Sequence, residues 1–131
     1  MTFQELYQIK NLKKEIDEQQ SRLDKLRDKA IVLSSPIDSA HSSSVNGDKI
    51  GKIVTEIAVL EELIDRELAE YYHCYIALEM YISNIPDSFT RRIFRMRFID
   101  GMKWNEIAAK CDGDYGANSI RMSVERYVKN N

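Results

Sequence analysis

The chain has little of what metal sites and disulfide scaffolds are built from. Among 131 residues there are two cysteines, two histidines, two prolines and five glycines. Cys74 and Cys111 are far apart in the sequence. The adjacent His73 and Cys74 would point about 100° apart on a helix, so no pair of ligands has metal-site spacing. We therefore expect two reduced thiols, no metal ion and no cofactor.

Long apolar runs and enzyme motifs are also absent. No apolar stretch approaches the roughly 20 residues that span a bilayer, and the start, MTFQELYQIK, lacks the basic and apolar regions of a signal peptide. We expect a cytoplasmic chain without a membrane segment. There is no GxxxxGKS or GxxxxGKT phosphate loop, no GxGxxG and no HExxH. The sequence therefore predicts that the protein is not an enzyme.

Charge is unevenly distributed, although the net charge is only −2. Residues 1–85 contain 10 Lys and Arg against 15 Asp and Glu, whereas residues 86–131 contain 9 against 6. A basic segment after an acidic one is expected if only the C-terminal part binds a polyanion.

The first 85 residues contain two series of apolar residues spaced alternately by three and four. One extends from Ile9 to Leu33, with Gln19 as its polar exception, and the other from Ile50 to Ile85. Seven-residue repeats of this kind predict two long helices that pack along their apolar seams.

The first predicted helix extends from about Phe3 to Leu33. Residues 34–49, SSPIDSAHSSSVNGDK, contain six serines and favour turns, so a loop is predicted there. Two long helices joined by a loop fold back most simply as an antiparallel coiled-coil hairpin over residues 1–85.

One such hairpin buries little surface per residue, so we expect two copies to pair as a homodimer through it. The aromatic end of the second helix is expected to pack on the C-terminal domain or on the second subunit. Its residues are Tyr71, Tyr72, Tyr75 and Tyr81.

After Pro86 the pattern changes to three short segments, DSFTRRIFRMRFI, KWNEIAAKC and SIRMSVERYVKNN. Asp87 or Ser88 suits the N-cap of the first helix, and Gly101 suits the turn that follows it. Three helices in about 45 residues have the size of a helix-turn-helix unit. Residues 86–131 are thus predicted to be a DNA-binding domain in an all-α protein.

The first short helix combines apolar and basic residues. Ile93, Phe94, Met96 and Phe98 are its predicted core side chains. Its arginines are predicted to surround that core and contact DNA phosphates. They are Arg91, Arg92, Arg95 and Arg97.

The segment IPDSFTRRIFRMRFIDGMKWNEIAAKC resembles the first part of region 4 of bacterial sigma factors, and the whole match covers residues 85–128. The shared features are the Pro start, the Arg-rich helix, the acidic-Gly turn and the Glu-Ile-Ala helix, in that order. The ending GANSIRMSVERYVK is similar to small phage and prophage regulators with a sigma-like domain, including late-gene regulators of Gram-positive phages. The resemblance implies a sequence-specific transcription regulator in a bacterial host cell. Its partners would be double-stranded DNA and RNA polymerase.

Two departures limit this resemblance. Between Ile107 and Ile120 the chain is about two residues longer than the usual sigma pattern, so the recognition helix could approach DNA differently. The N-terminal part lacks the aromatic and basic segment that melts promoters. We therefore do not expect a complete sigma factor.

The resemblance places four residues at base-reading positions: Ala117, Asn118, Arg121 and Met122. An Asn amide can pair with adenine and an Arg guanidinium with guanine, whereas Ala and Met can only contact a thymine methyl group. Further phosphate contacts are expected from Lys103, Ser119, Arg126 and Lys129.

Two alternatives remain open. Small terminase subunits, which package DNA, also join a helix-turn-helix unit to a coiled coil, though as rings. A protein that binds RNA polymerase without reading DNA is the second. The mass in solution distinguishes a dimer from a ring, and a chain that retains polymerase binding but lacks DNA binding would be the interaction protein.

Overall fold

The computed structural model describes residues 1–34, 39–111 and 115–131. Over these ranges all regular structure is helical, which confirms the all-α prediction. The helices are α1 (Phe3–Leu33), α2 (Ser39–Ser83), α3 (Ser88–Phe94), α4 (Trp104–Lys110) and α5 (Ala117–Asn130). A five-residue π-helical segment, Arg95–Ile99, continues α3.

α1 has the predicted bounds, and its apolar seam is its buried side. Ile9, Leu12, Ile16 and Leu23 are buried, whereas the Lys, Glu and Asp residues between them are mostly exposed. This follows from the helical repeat, because residues three and four apart share one side of the helix.

The loop predicted over residues 34–49 is wrong for most of its length, because α2 already begins at Ser39. Residues 35–38 lie outside the described ranges. The serine-rich segment forms helix because Ser and Asn each cost well under about 1 kcal/mol relative to Ala. Each residue added to an existing helix also gains a hydrogen bond.

The chain divides into two compact units. One is Lys14–Glu70. Its buried residues include Leu23 of α1 and Ile64 of α2. Arg27 Nη2 lies 3.0 Å from Glu61 Oε1, and both side chains are about half exposed, so this ion pair contributes little stability.

The other unit joins Met1–Lys13 to Tyr71–Asn131, so it contains parts of both predicted domains. Its core is built from all five helices and from the π-helical segment. The fully buried side chains at its centre include Leu6, Leu78, Phe94, Phe98 and Val124. Near its surface, Lys13 Nζ donates a hydrogen bond to the Ile99 carbonyl oxygen, 3.0 Å away.

The turns around α3 use the predicted residues. Asp87 is its N-cap, and its carboxylate accepts hydrogen bonds from Thr90 N and Thr90 Oγ1 at 2.9 and 2.6 Å. These two bonds lower the pKa of Asp87 below its ordinary value. Gly101 has a φ of 70°, a left-handed conformation that glycine adopts without steric cost. The predictions for Asp87 and Gly101 are both confirmed.

Candidate nucleic-acid interface

α5 has one buried side and one exposed side. Ile120, Val124 and Val128 are buried in the core, and their spacing places them on one side of the helix. Successive helical residues are rotated by about 100°, so the opposite side is centred on Met122 and also carries Asn118. This exposed side is the α5 face, which we define as Asn118, Ser119, Met122, Arg126 and Lys129; all five residues are exposed.

The four predicted base-reading residues are not equally placed. Asn118 and Met122 lie on the α5 face, and Met122 is 52% exposed. Ala117 and Arg121 are half-buried and lie beside the α5 face, between its exposed and buried sides. Arg121 Nη1 also lies 2.8 Å from Glu125 Oε1, in an ion pair between neighbours on the helix. Asn118 and Met122 are therefore free to contact a ligand, whereas Arg121 must first leave its partner.

Three predicted phosphate contacts, Ser119, Arg126 and Lys129, belong to the α5 face. Lys103 is also exposed, but it lies on a different element, at the N-cap of α4. α5 contains three cationic residues and one acidic residue. The α5 face therefore combines two cationic side chains, an amide, a hydroxyl and one apolar side chain.

The arginines of α3 and its π-helical continuation have different surroundings. Arg91 Nη1 donates hydrogen bonds to the carbonyl oxygens of Ile85 and Pro86 at 2.6 and 3.1 Å, so it stabilises the connection between α2 and α3. Arg95 Nη2 lies 3.4 Å from Glu79 Oε2. Arg92 is exposed. Of these three predicted phosphate contacts, Arg92 has the side chain most accessible to a ligand.

Arg97 contradicts the prediction that it lies on the surface, because it is only 9% exposed. Its guanidinium lies 4.3 Å from the centroid of the Trp104 ring and 5.7 Å from that of Tyr7. Arg97 Nη1 donates a hydrogen bond to the Met102 carbonyl oxygen at 2.9 Å.

The helical repeat contained a signal for this burial. Arg97 follows Ile93 by four residues and Phe94 by three, which places it on the same buried side of the helix. The charge of Arg97 suggested a position on the surface. The two neighbouring aromatic rings and a carbonyl acceptor nevertheless accommodate its guanidinium in the interior.

Aromatic and apolar contacts position α4 and α5. Ile107 and Cys111 belong to the same buried core as Ile120 of α5. Just before α5, the ring of Tyr115 lies near that of Phe89 in α3, with 5.4 Å between the ring centroids. The predicted turn between α4 and α5 falls partly on residues 112–114, which lie outside the described ranges.

Other kinds of site find no support in residues 1–34, 39–111 and 115–131. No group of three or more His, Cys, Asp or Glu side chains there could hold a metal ion. Cys74 and Cys111 are free thiols. No helix in these ranges is long and apolar enough to cross a membrane.

No protein-family model, curated protein or solved structure matches the chain. The resemblance to sigma region 4 and the assignment of contact residues therefore remain predictions from the residues themselves.

Proposed function

We propose that this protein is a sequence-specific DNA-binding transcription regulator of phage or prophage origin. In this proposal, residues 86–131 form a sigma region 4-like helix-turn-helix domain with α5 as the recognition helix. The antiparallel α1 and α2 form the coiled-coil hairpin that carries it. The observation that supports this proposal best is the α5 face, which carries an amide, an apolar and two cationic side chains on one exposed side of a helix whose other side is buried.

The chemistry of the α5 face is that of a major-groove reader. Asn118, near the start of α5, can accept from and donate to an adenine edge, and Met122 can contact a thymine methyl group. Arg126 and Lys129 lie further along the helix, where a cationic side chain can neutralise phosphate and fix the position of the domain. Buried apolar residues on the opposite side of α5 hold these groups in place, as recognition requires.

Arg121 has a more conditional role. To reach a guanine edge it must leave Glu125, and the side chains of this pair are 42% and 44% exposed. An exposed pair of this kind is worth less than about 1 kcal/mol, whereas a bidentate contact with guanine is worth about 1–3 kcal/mol. The exchange is therefore favourable on a site that presents guanine at this position.

The test begins with selection of the bound sequence from a pool of random duplexes. Equilibrium titrations then compare variants on the selected site and on a random duplex at several salt concentrations. Asn118→Ala should weaken binding to the selected site by about 1–3 kcal/mol. It should change binding to the random duplex much less, because an amide releases no counterions.

Arg126→Ala should weaken binding to both duplexes alike and lower the salt slope by roughly one. Arg66→Ala is the matched control, since it removes one positive charge from α2, where Arg66 pairs with Glu62. This control should leave both affinities unchanged. If Asn118→Ala and Arg121→Ala bind the selected site as tightly as the wild type, α5 is not the recognition helix.

Met122 favours a second candidate, a protein that binds RNA polymerase through the same α5 face. A long apolar side chain at the centre of a polar face is typical of protein interfaces, where Met is enriched. Met122→Ala separates the two. Loss of polymerase capture with unchanged DNA affinity would favour the interaction protein, and the reverse result would favour the DNA-binding regulator.

A further inference from the structure

The last part of α2 has two contrasting sides. Leu78 and Ile82 face the core of their compact unit and are fully buried. Tyr72, Ile76 and Met80 are 58%, 61% and 65% exposed. Residues four apart lie nearly above one another on a helix, so these three form a continuous apolar stripe. We call Tyr72, Ile76 and Met80 the α2 stripe.

The part of α2 that carries the stripe is almost free of charge. Residues 71–85 contain a single Asp, Glu, Lys or Arg, namely Glu79, although 31% of the whole chain is charged. The Glu79 carboxylate already lies 3.4 Å from Arg95 Nη2. The centres of protein interfaces are depleted in charge and enriched in Tyr and Met. The α2 stripe thus has the composition of an interface, and differs from an ordinary solvated helix surface.

The α2 stripe is distinct from the apolar seams through which the sequence predicted a dimer. Ile16 and Leu23 of α1 and Ile53 and Ile64 of α2 belong to those seams, and all four are buried within a single chain. These four seam positions are therefore already occupied. The α2 stripe, by contrast, is an apolar surface that remains exposed and available to a partner.

We propose that a second copy of this chain docks on the α2 stripe, with the two α2 helices antiparallel and Ile76 on the two-fold axis. A two-fold contact needs a patch that is complementary to itself. Tyr72 and Met80 are equally distant from Ile76 along the helix, so Tyr72 lies at the level of Met80 of the partner subunit. Sulfur–aromatic contacts of this kind are favourable. The arrangement also brings no like charges together at its centre.

The exposed area indicates how strong this dimer is. Three large side chains that are more than half exposed present roughly 300 Å² of apolar surface, the size of a functional patch on a monomer. Stable interfaces bury about 800 Å² per partner. The flanking His73 and Ala77, both exposed, enlarge the patch but leave it below that size, so we expect a weak, reversible dimer with a Kd on the order of micromolar.

This inference goes beyond the proposed function and does not depend on it, because it is tested without DNA. If both hold, the dimer relates two copies of α5 by a two-fold axis, since α5 and the α2 stripe belong to one compact unit. The preferred DNA site would then be an inverted repeat.

Sedimentation equilibrium of the full chain, from about 1 to about 100 µM, tests the dimer directly. The wild type should pass from monomer to dimer over this range. Ile76→Glu should remain monomeric throughout, with an unchanged helical circular dichroism signal. Val59→Glu is the matched control, because Val59 is a similarly exposed apolar residue of α2 in the other compact unit, at 55%. It should dimerise like the wild type.

A crosslinking variant gives a second readout that does not disrupt the helix. Cysteine at position 76 would lie beside its own copy, so Ile76→Cys should form a disulfide-linked dimer under mild oxidation. Val59→Cys and the wild type, which retains Cys74 and Cys111, should not. The proposal is overturned by a wild type that stays monomeric, by a dimer that survives Ile76→Glu, or by a ring of about eight copies.

Discussion

Replacement of Arg97 tests whether a buried guanidinium holds the start of α4 in place. Arg97 lies in the π-helical segment after α3, with Trp104 of α4 on one side and Tyr7 of α1 on the other. Its hydrogen bond to the Met102 carbonyl oxygen spans the Gly101 turn. Arg97→Ala would therefore remove a contact shared by three elements, of which α1 is distant in the sequence from the other two.

The structure allows an estimate of the loss. A hydrogen bond from a charged donor is worth about 1.5–3 kcal/mol, and a desolvated cation–π contact about 2 kcal/mol. The gain is partly offset because a buried guanidinium is costly to desolvate. Arg97 Nε, moreover, is buried without a hydrogen-bond partner. We expect Arg97→Ala to lower the free energy of unfolding by about 2–3 kcal/mol.

Trp104 is the only tryptophan of the chain, so its fluorescence reports on this cluster during urea unfolding. With a urea dependence of about 1–3 kcal/mol/M, the midpoint should fall by about 1–2 M. Arg97→Lys should show a smaller loss, because lysine keeps the charge but lacks the planar group that stacks on the ring. Arg92→Ala is the control, since Arg92 is exposed and its loss should change stability by less than about 0.5 kcal/mol.

Equal midpoints for Arg97→Ala and Arg92→Ala would refute this reasoning. Such a result would mean that the Arg97 side chain is effectively solvated and that the apolar core alone positions α4.

Two further substitutions test the core and the turn. Tyr81→Phe should leave stability at pH 7 unchanged or raise it by up to about 1 kcal/mol, because it removes a buried hydroxyl that has no hydrogen-bond partner. Burial, and secondly the charge of Tyr127, raise the pKa of Tyr81. The stability contributed by the neutral phenol is therefore fully present below a pH of about 10, the tyrosine pKa in the unfolded chain. It is lost as the pH rises through the higher pKa of Tyr81 in the folded protein. Alkaline titration should show a smaller loss for Tyr81→Phe, and an identical loss would contradict this account. Gly101→Ala should cost about 1 kcal/mol in thermal or urea unfolding, because its φ of 70° is unfavourable for alanine although space is available for a Cβ atom. Gly51→Ala, inside α2, is a control with the opposite expected sign and should stabilise the protein by up to about 1 kcal/mol. A loss of stability at both positions would show that backbone conformation does not cause the effect at Gly101.

Much of the local structure was predictable because its causes lie within a few residues of each other. The bounds of α1 and the buried sides of α1 and α5 follow from apolar residues at helical spacing. The Asp87 cap and the Gly101 turn depend on the chemistry of single residues. The candidate α5 face could likewise be read from the sequence, since burial of Ile120 and Val124 leaves Asn118 and Met122 on the other side.

Sequence rules misjudged the start of α2. Serine and glycine favour turns on their own, and a polar segment between two apolar series predicted a loop. The helix nevertheless continues back to Ser39. Cooperative growth of a long helix outweighs the weak preferences of individual residues. A count of turn-forming residues does not include this cooperative gain.

Only the tertiary structure decided which cationic side chains are available. Arg91, Arg95 and Arg97 looked equivalent in the sequence, yet Arg91 binds backbone carbonyls, Arg95 lies near Glu79, and Arg97 is buried. The same holds for the α2 stripe, whose exposure depends on which side of α2 the rest of the chain covers. Apolar spacing determines which residues share a side of a helix, but contacts between residues distant in the sequence determine whether that side meets a core, a partner or water.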